Sequence, residues 1–263
     1  MEKNKIVALC YDFDKTLSPF NMQEQGFIQD LGLDINVFWE EVKDFSTKNQ
    51  VEGNLAYMYK MVQKVGKSFT KETLKKYGEK IKLFDGVDGW FDRINAYALG
   101  LGIKVEHYII SSGIKEMIEG TNIAKNGCLK EIYASSFYYD ENGVAVWPSQ
   151  VVNYTNKTQF LFRIEKGVLD ALDDAVNDKF MPDEKRIPFS NIIYIGDSDT
   201  DVPCMSLVKR LGGNSIGVYN KETLDKSKII KMIKDERISS FAPADYTENS
   251  ELDKTIKNIL KQI

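Results

Sequence analysis

Two sets of carboxylates, each placed at the end of an apolar run, carry the chemistry this sequence could perform. Asp12 and Asp14 follow Ile6-Val7-Ala8-Leu9-Cys10-Tyr11, with Thr16 two residues further on. Spacing of i, i+2 lets both carboxylates face one way while the chain stays extended, so they can divide nucleophile and acid/base roles. Asp197, Asp199 and Asp201 follow Ile192-Ile193-Tyr194-Ile195-Gly196 in the same manner. Alternating carboxylates suit a hard cation such as Mg2+, held by oxygen, and a turn and capping role competes for them. A third apolar run, Val105 to Ile110, ends in Ser111-Ser112-Gly113 before a helix expected at Ile114 to Glu119. Hydroxyls and backbone N–H groups at a strand-to-helix junction make an anion site, with an ordinary serine N-cap as the alternative. Lys157 opens a helix expected to run from Gln159 towards Asp173, an end where the helix dipole disfavours a cation.

These residues need strands to present them. Apolar runs ending in polar groups read as buried parallel strands, whose carboxyl ends gather ligands in an open α/β sheet. The expected fold class is therefore α/β, built on a parallel sheet. Ser18-Pro19-Phe20 breaks the first strand, and from about Met22 to Tyr77 the apolar positions fall at helical spacing. The chain re-enters the sheet domain at Phe84-Asp85-Gly86-Val87, before an amphipathic helix expected to carry Trp90, Phe91, Ile94 and Leu99 on its apolar side. Residues 18–85 thus read as a helical insertion, with 1–17 and 86–263 as the main domain. Ile132 to Trp147 reads as a β-hairpin turning at Asp140 to Gly143 and closed by Pro148. Ser215 to Tyr219 reads as a strand, Lys226 to Lys234 and Leu252 to Ile263 as surface helices, and Ser239 to Asp245 as a loop between them.

Composition narrows the chemistry. A net charge of -4, with its charges scattered, offers no basic stripe for nucleic acid. Lys3 and Lys5 precede an apolar stretch that Asp12 cuts short, too brief for a signal peptide or a membrane span, so a cytoplasmic protein with no membrane partner is expected. Cys10, Cys128 and Cys204 lack disulfide, metal or redox spacing and read as core or near-core residues. A single histidine, His107, rules out a two-histidine zinc site and is expected to be structural. The pattern leaves oligomeric state open.

Taken together, Asp12-Phe13-Asp14-Lys15-Thr16, Ser111, Lys157 and Gly196-Asp197 with Asp201 resemble the four ordered motifs of the haloacid dehalogenase-like superfamily. The helices after the first motif and the hairpin between the second and third look like its phosphoserine phosphatase-like branch, and the resemblance implies a Rossmann-like parallel sheet core, 1–17 and 86–263, as the catalytic domain, with 18–85 as an inserted α-helical cap. The resemblance implies a Mg2+-dependent phosphatase acting on a small phosphorylated metabolite through an aspartyl phosphate on Asp12. It implies Asp14 as acid and base, and Lys157 steadying nucleophile and phosphate. Ser111 and Ser112 would hold phosphoryl oxygens beside Lys157. Asp12, Asp197 and the backbone carbonyl of Asp14 would ligate Mg2+, with Asp201 supporting the metal and Thr16 orienting the loop and Asp14. A phosphotransferase or mutase using the same intermediate, and a non-catalytic regulatory relative, are the competing readings. True phosphoserine phosphatases have a small residue and then a glutamate soon after the threonine. Here Pro19, Phe20 and Asn21 stand there and Glu24 is the first acid, which argues against phosphoserine. Met22, Glu24, Tyr57 and Met58 are the candidates for a substrate surface on the cap.

Overall fold

Side chains of strand β1 (Lys5–Tyr11) alternate between two buried faces: Val7, Leu9 and Tyr11 join one core, Ala8 and Cys10 the other. A strand covered on both faces must be apolar throughout, which is why it reads as an unbroken run. The computed structural model describes residues 5–263, so Lys3 lies outside the described residues. Strands β2 (Ile103–Ile114), β3 (Leu129–Tyr139), β4 (Ala145–Gln150), β5 (Ile192–Gly196), β6 (Asn214–Tyr219) and β7 (Ser240–Pro243) complete a seven-stranded sheet of order β4-β3-β2-β1-β5-β6-β7. Only the β3–β4 pair is antiparallel. The chain fills one side of β1 first and then returns to the other side with β5, so strand order reverses between β1 and β5. Crevices form at such a reversal, outside the carboxyl ends of the strands.

Helices α1 (Phe27–Asp30), α2 (Ile35–Asn49), α3 (Gly53–Val65) and α4 (Lys71–Gly78) lie between β1 and β2, followed by α5 (Val87–Leu99). Their starts are chemically marked: Asp34 caps α2, Glu52 caps α3 and Thr70 caps α4, each accepting from backbone N–H groups of the first turn. Phe84 N–H donates to Leu17 C=O (2.9 Å), so the chain leaves and rejoins the sheet region at one point. Helices α6 (Lys115–Gly120) and α7 (Asn122–Lys125) follow β2, α8 (Thr158–Lys166) follows β4, and α9 (Val202–Arg210), α10 (Ser227–Lys234) and α11 (Glu251–Gln262) complete the chain. One face of the sheet buries Trp90, Phe91 and Ile94 of α5 with Leu252 and Ile256 of α11; the other buries Phe160 and Ile164 of α8 with Cys204 and Met205 of α9. Among the described residues no helix is long and apolar enough to cross a membrane.

Three sequence expectations are corrected here. Pro148 does not close the hairpin but sits within β4, paired with Phe137, and the strand continues to Gln150. An edge strand tolerates the missing N–H. The expected loop from Ser239 to Asp245 contains β7, parallel to β6, whose four residues are too few to show a period. Helix α8 stops at Lys166 because Gly167, at φ +79°, turns the chain left-handed, and the guanidinium of buried Arg163 then holds the carbonyls of Asp170, Ala171 and Asp173.

Helices α4 and α6 touch backbone to backbone. A Cβ on Gly78 would stand 2.0 Å from Met117 C=O, and one on Gly120 would stand 2.0 Å from Lys75 C=O. His107, 1% exposed, is the hub of a directed chain: Trp90 Nε1–H donates to Tyr11 OH (2.9 Å), Tyr11 O–H donates to Nδ1 (2.9 Å), and Nε2–H donates to Asn95 Oδ1 (3.1 Å). This chain needs the neutral ring, and burial holds the imidazole down at about 3.

Replacing Gly78 with alanine forces two backbones apart and is expected to destabilise the protein by roughly 2–3 kcal/mol, read as a melting point lowered by several degrees. His107 binds its proton in the unfolded chain near 6.5 but in the folded chain only near 3, so stability rises with pH across that window. Acidifying from pH 6.5 to 5 should cost up to about 2 kcal/mol through this residue alone, and urea titrations of His107→Gln should lose that increment of acid sensitivity.

Candidate active site

At the reversal point the ends of β1, β2 and β5 converge. Asp12 extends β1 by one residue, its N–H donating to Ile195 C=O (2.9 Å). The chain then curls, with Phe13 C=O accepting from the N–H groups of Thr16, Leu17 and Ser18, and Lys15 in the left-handed region at φ +60°. That curl swings Asp14 back over the strand end, where Met22 N–H donates to its Oδ1 (2.9 Å). Asp12, Asp14, Ser111, Ser112 and Asp197 all line one cavity of about 300 Å3. Lys157, Asp201 and Thr16 stand behind its wall, all fully buried.

Lys157 joins the two carboxylate motifs. Its Nζ lies 2.8 Å from Asp201 Oδ1 and 3.2 Å from Asp12 Oδ1, the latter a charge contact without hydrogen-bond alignment that leaves Asp12 Oδ1 otherwise unpartnered. Ser112 Oγ is a second buried polar atom without a partner, on a residue lining the same cavity. Buried groups of this kind call for a ligand. Asp201 is the opposite case. Its Oδ1 accepts from Lys157 and from Tyr194 OH (2.8 Å), and its Oδ2 accepts from the N–H groups of Asp197 (3.3 Å) and Ser198 (3.2 Å) and from Ser198 Oγ (3.2 Å). Gly196 makes room for it, since a Cβ there would lie 2.6 Å from Asp201 Cγ.

One oxygen from each of Asp12, Asp197 and Asp201 falls within 4.8 Å of the others. Burial, then the Asp201 charge, push the Asp12 carboxyl above its ordinary range despite Lys157. Asp197 is pushed up by burial and by Asp201 and Asp12, and Asp14 by burial and Asp12. Burial disfavours the Lys157 charge, yet Asp12 and Asp201 together hold its ammonium above the usual lysine range. An oxygen-rich, negatively charged cluster fits a hard divalent cation such as Mg2+. Asp12 and Asp197 have oxygens to offer it, whereas both oxygens of Asp201 are already engaged, which suits a supporting role.

Thr16 Oγ1–H donates to Asp197 Oδ1 (3.4 Å), so its hydroxyl serves Asp197, while Asp14 is held by Met22. Beyond Asp14 a second cavity of about 490 Å3 opens against the helices, sharing Asp14, Asn21, Ser112 and Gly113 with the first and walled by Glu24, Trp39, Asn54 and Tyr57. Glu24 and Tyr57 therefore stand where a substrate surface was expected; Met22 and Met58 are fully buried instead. Met22 is used by the backbone, since Ile114 N–H donates to its Sδ (3.0 Å). Asn21, Tyr154 and Lys228 line the first cavity without having been singled out. Tyr154, three residues before Lys157, could have been found by proximity; Lys228, on a helix remote in sequence, carries no such signal.

No family model matches the sequence. A protein of Borreliella burgdorferi, described only as uncharacterized, is 28% identical over 95% of each chain. Among solved structures, a HAD family hydrolase from Salmonella enterica serovar Typhi superposes with TM-score 0.63 at 16% identity, covering 97% of this chain and 72% of that one. A substrate-bound phosphoserine phosphatase gives TM-score 0.56 at 15% identity over 98% and 99% of the two chains. Cytosolic 5'-nucleotidase IIIB bound to cytidine gives 0.56 at 13% over 98% and 87%. With its carboxylates at the strand-order reversal and its helices inserted after the first strand, the chain has the HAD-like fold in its phosphoserine phosphatase-like form.

Proposed function

We propose that this protein is a Mg2+-dependent phosphatase that hydrolyses a small phosphomonoester through an aspartyl phosphate on Asp12, with residues 18–85 as its cap domain and the cytoplasm as its location. The observation that carries the reading is the buried Asp12 carboxylate, one oxygen without a hydrogen bond, on a residue lining the cavity and lying 3.2 Å from Lys157. A carboxylate and a phosphate repel each other and must be brought together by positive charge. Asp12 attacks phosphorus as the ester P–O bond breaks, and Asp14 gives its proton to the departing oxygen. Burial and the Asp12 charge raise Asp14, which favours the protonated form that the first step needs. Asp14 then takes a proton from the water that attacks the aspartyl phosphate, releasing inorganic phosphate and restoring Asp12. Lys157 compensates the charge of Asp12 and of the phosphoryl group, with Ser111 and Ser112 binding phosphoryl oxygens. Asp12, Asp197 and the Asp14 backbone carbonyl would hold Mg2+, which would supply further positive charge to the site. The organic group fits the larger cavity, because Asp14 stands at the junction of the two.

Phosphate release from p-nitrophenyl phosphate should require Mg2+, stop with chelator, and fall at least about a thousandfold in Asp12→Asn. Release that survives Asp12→Asn would falsify the aspartyl-phosphate route. In Asp14→Asn the first step tolerates loss of the acid because nitrophenolate leaves without a proton, but water activation should slow by roughly a hundredfold or more. A hydroxylamine-sensitive phosphoenzyme should then accumulate on Asp12, detectable by mass spectrometry.

A further inference from the structure

Helix α3 and its capping residue Glu52 make three hydrogen bonds that the scheme above leaves unused. Tyr57 O–H donates to Ser112 C=O (2.7 Å), on the segment that carries the unpartnered Ser112 hydroxyl. Asn54 Nδ2–H donates to Val152 C=O (2.9 Å), and Asn153 Nδ2–H donates to Glu52 Oε1 (2.5 Å), both on the segment that leads to Lys157. These two segments are themselves joined by buried Ser135, whose Oγ accepts from Val152 N–H (3.0 Å) and donates to Ser112 C=O (3.3 Å). From Val152 to Lys157 the chain is tied by its own hydrogen bonds. Asn153 N–H donates to Asn156 Oδ1 (2.7 Å), Tyr154 N–H donates to Asn153 Oδ1 (3.0 Å), and a single 3-10 turn, Tyr154–Lys157, delivers the lysine. One hydrogen-bonded turn thus separates Val152 from Lys157. Asn54 and Tyr57 also line the larger cavity beyond Asp14.

We propose that Asn54 and Tyr57 are positioning residues: one helix face grips the Ser112 and Lys157 segments together, so contact of the organic group with α3 sets the two phosphate-binding segments in register. The inference rests on the phosphatase reading. Neither residue is placed at the reacting atoms; each acts through the backbone carbonyl that it holds. Displacements of about 1 Å in such a shell are enough to lower turnover by up to a hundredfold.

The test uses the full-length protein with Mg2+, p-nitrophenyl phosphate as substrate and orthovanadate as an inhibitor that resembles the five-coordinate phosphorus. Tyr57→Phe and Asn54→Leu are each expected to lower kcat about tenfold with KM changed less than twofold, and to weaken orthovanadate inhibition in parallel with kcat. The double variant should fall by less than the product of the two singles, because both act on one linked pair of segments. A Tyr57→Phe enzyme with unchanged kcat overturns the inference. So does a fall in kcat that follows only the folded fraction, measured by thermal melting, with the vanadate constant unchanged. In both cases the wild type remains active and the phosphatase reading stands; a wild type that releases no phosphate overturns that reading and this inference with it.

Discussion

An ammonium group taken out of water must have its charge balanced within a few ångströms, and Lys157 finds that balance between Asp12 and Asp201. The arrangement is costly to assemble, since each buried ion gives up several kcal/mol of hydration. It is also unequal: one cation faces two carboxylates, with the carboxylate of Asp197 close by. Burial first, and then that surplus of negative charge, displace Asp12 and Asp197 upward from the ordinary carboxylate range. The surplus also makes the centre receptive to a further cation, while Lys157 keeps Asp12 from being wholly repelled by an incoming anion. The rest of the site holds this imbalance in place.

Strand order supplies the means. Because β1 is flanked by β2 and β5, the ends of three consecutive strands in space deliver Ser111, Asp12 and Asp197 to one crevice although they are far apart in the chain. Asp201 then works as an internal scaffold: it caps the N–H groups that follow β5 on one side and grips Lys157 and Tyr194 on the other. Only a glycine at position 196 allows that carboxylate to tuck so close beneath the strand. The inserted helices add two tethers of their own, from Asn54 to Val152 C=O and from Tyr57 to Ser112 C=O.

The parts legible in the sequence are those whose physics is local. Apolar runs followed by Asp12, Ser111 and Asp197 announced buried strands, and each of the three residues lines the cavity; Ser111, Ser112 and Gly113 nevertheless lie within β2, which runs on to Ile114, and not at the expected strand-to-helix junction. His107 and the buried cysteines were likewise readable as structural from their isolation. What depended on partners distant in the chain was not. Lys157 is one of 35 basic residues and has no spacing of its own to distinguish it; only its motif order did so. Tyr57 could be named as a large residue on a helix, but its bond to Ser112 C=O spans 55 positions and leaves no periodic trace. The hairpin closed too early at Pro148 and the strand missed at Ser240 share one cause: at a sheet border, pairing on one side suffices and the unbroken apolar run that marks the interior strands is lost.

That border has a consequence for the protein's life in a crowded solution. β4 and β7 are the two outermost strands, and each contains a proline, Pro148 and Pro243. An open sheet is a template for edge-to-edge growth wherever a long row of backbone donors faces solvent. Here both margins are short, and each lacks a donor at its proline. The sheet that must stay open at its strand ends to admit a ligand is thereby guarded at its flanks against recruiting a neighbour's strand.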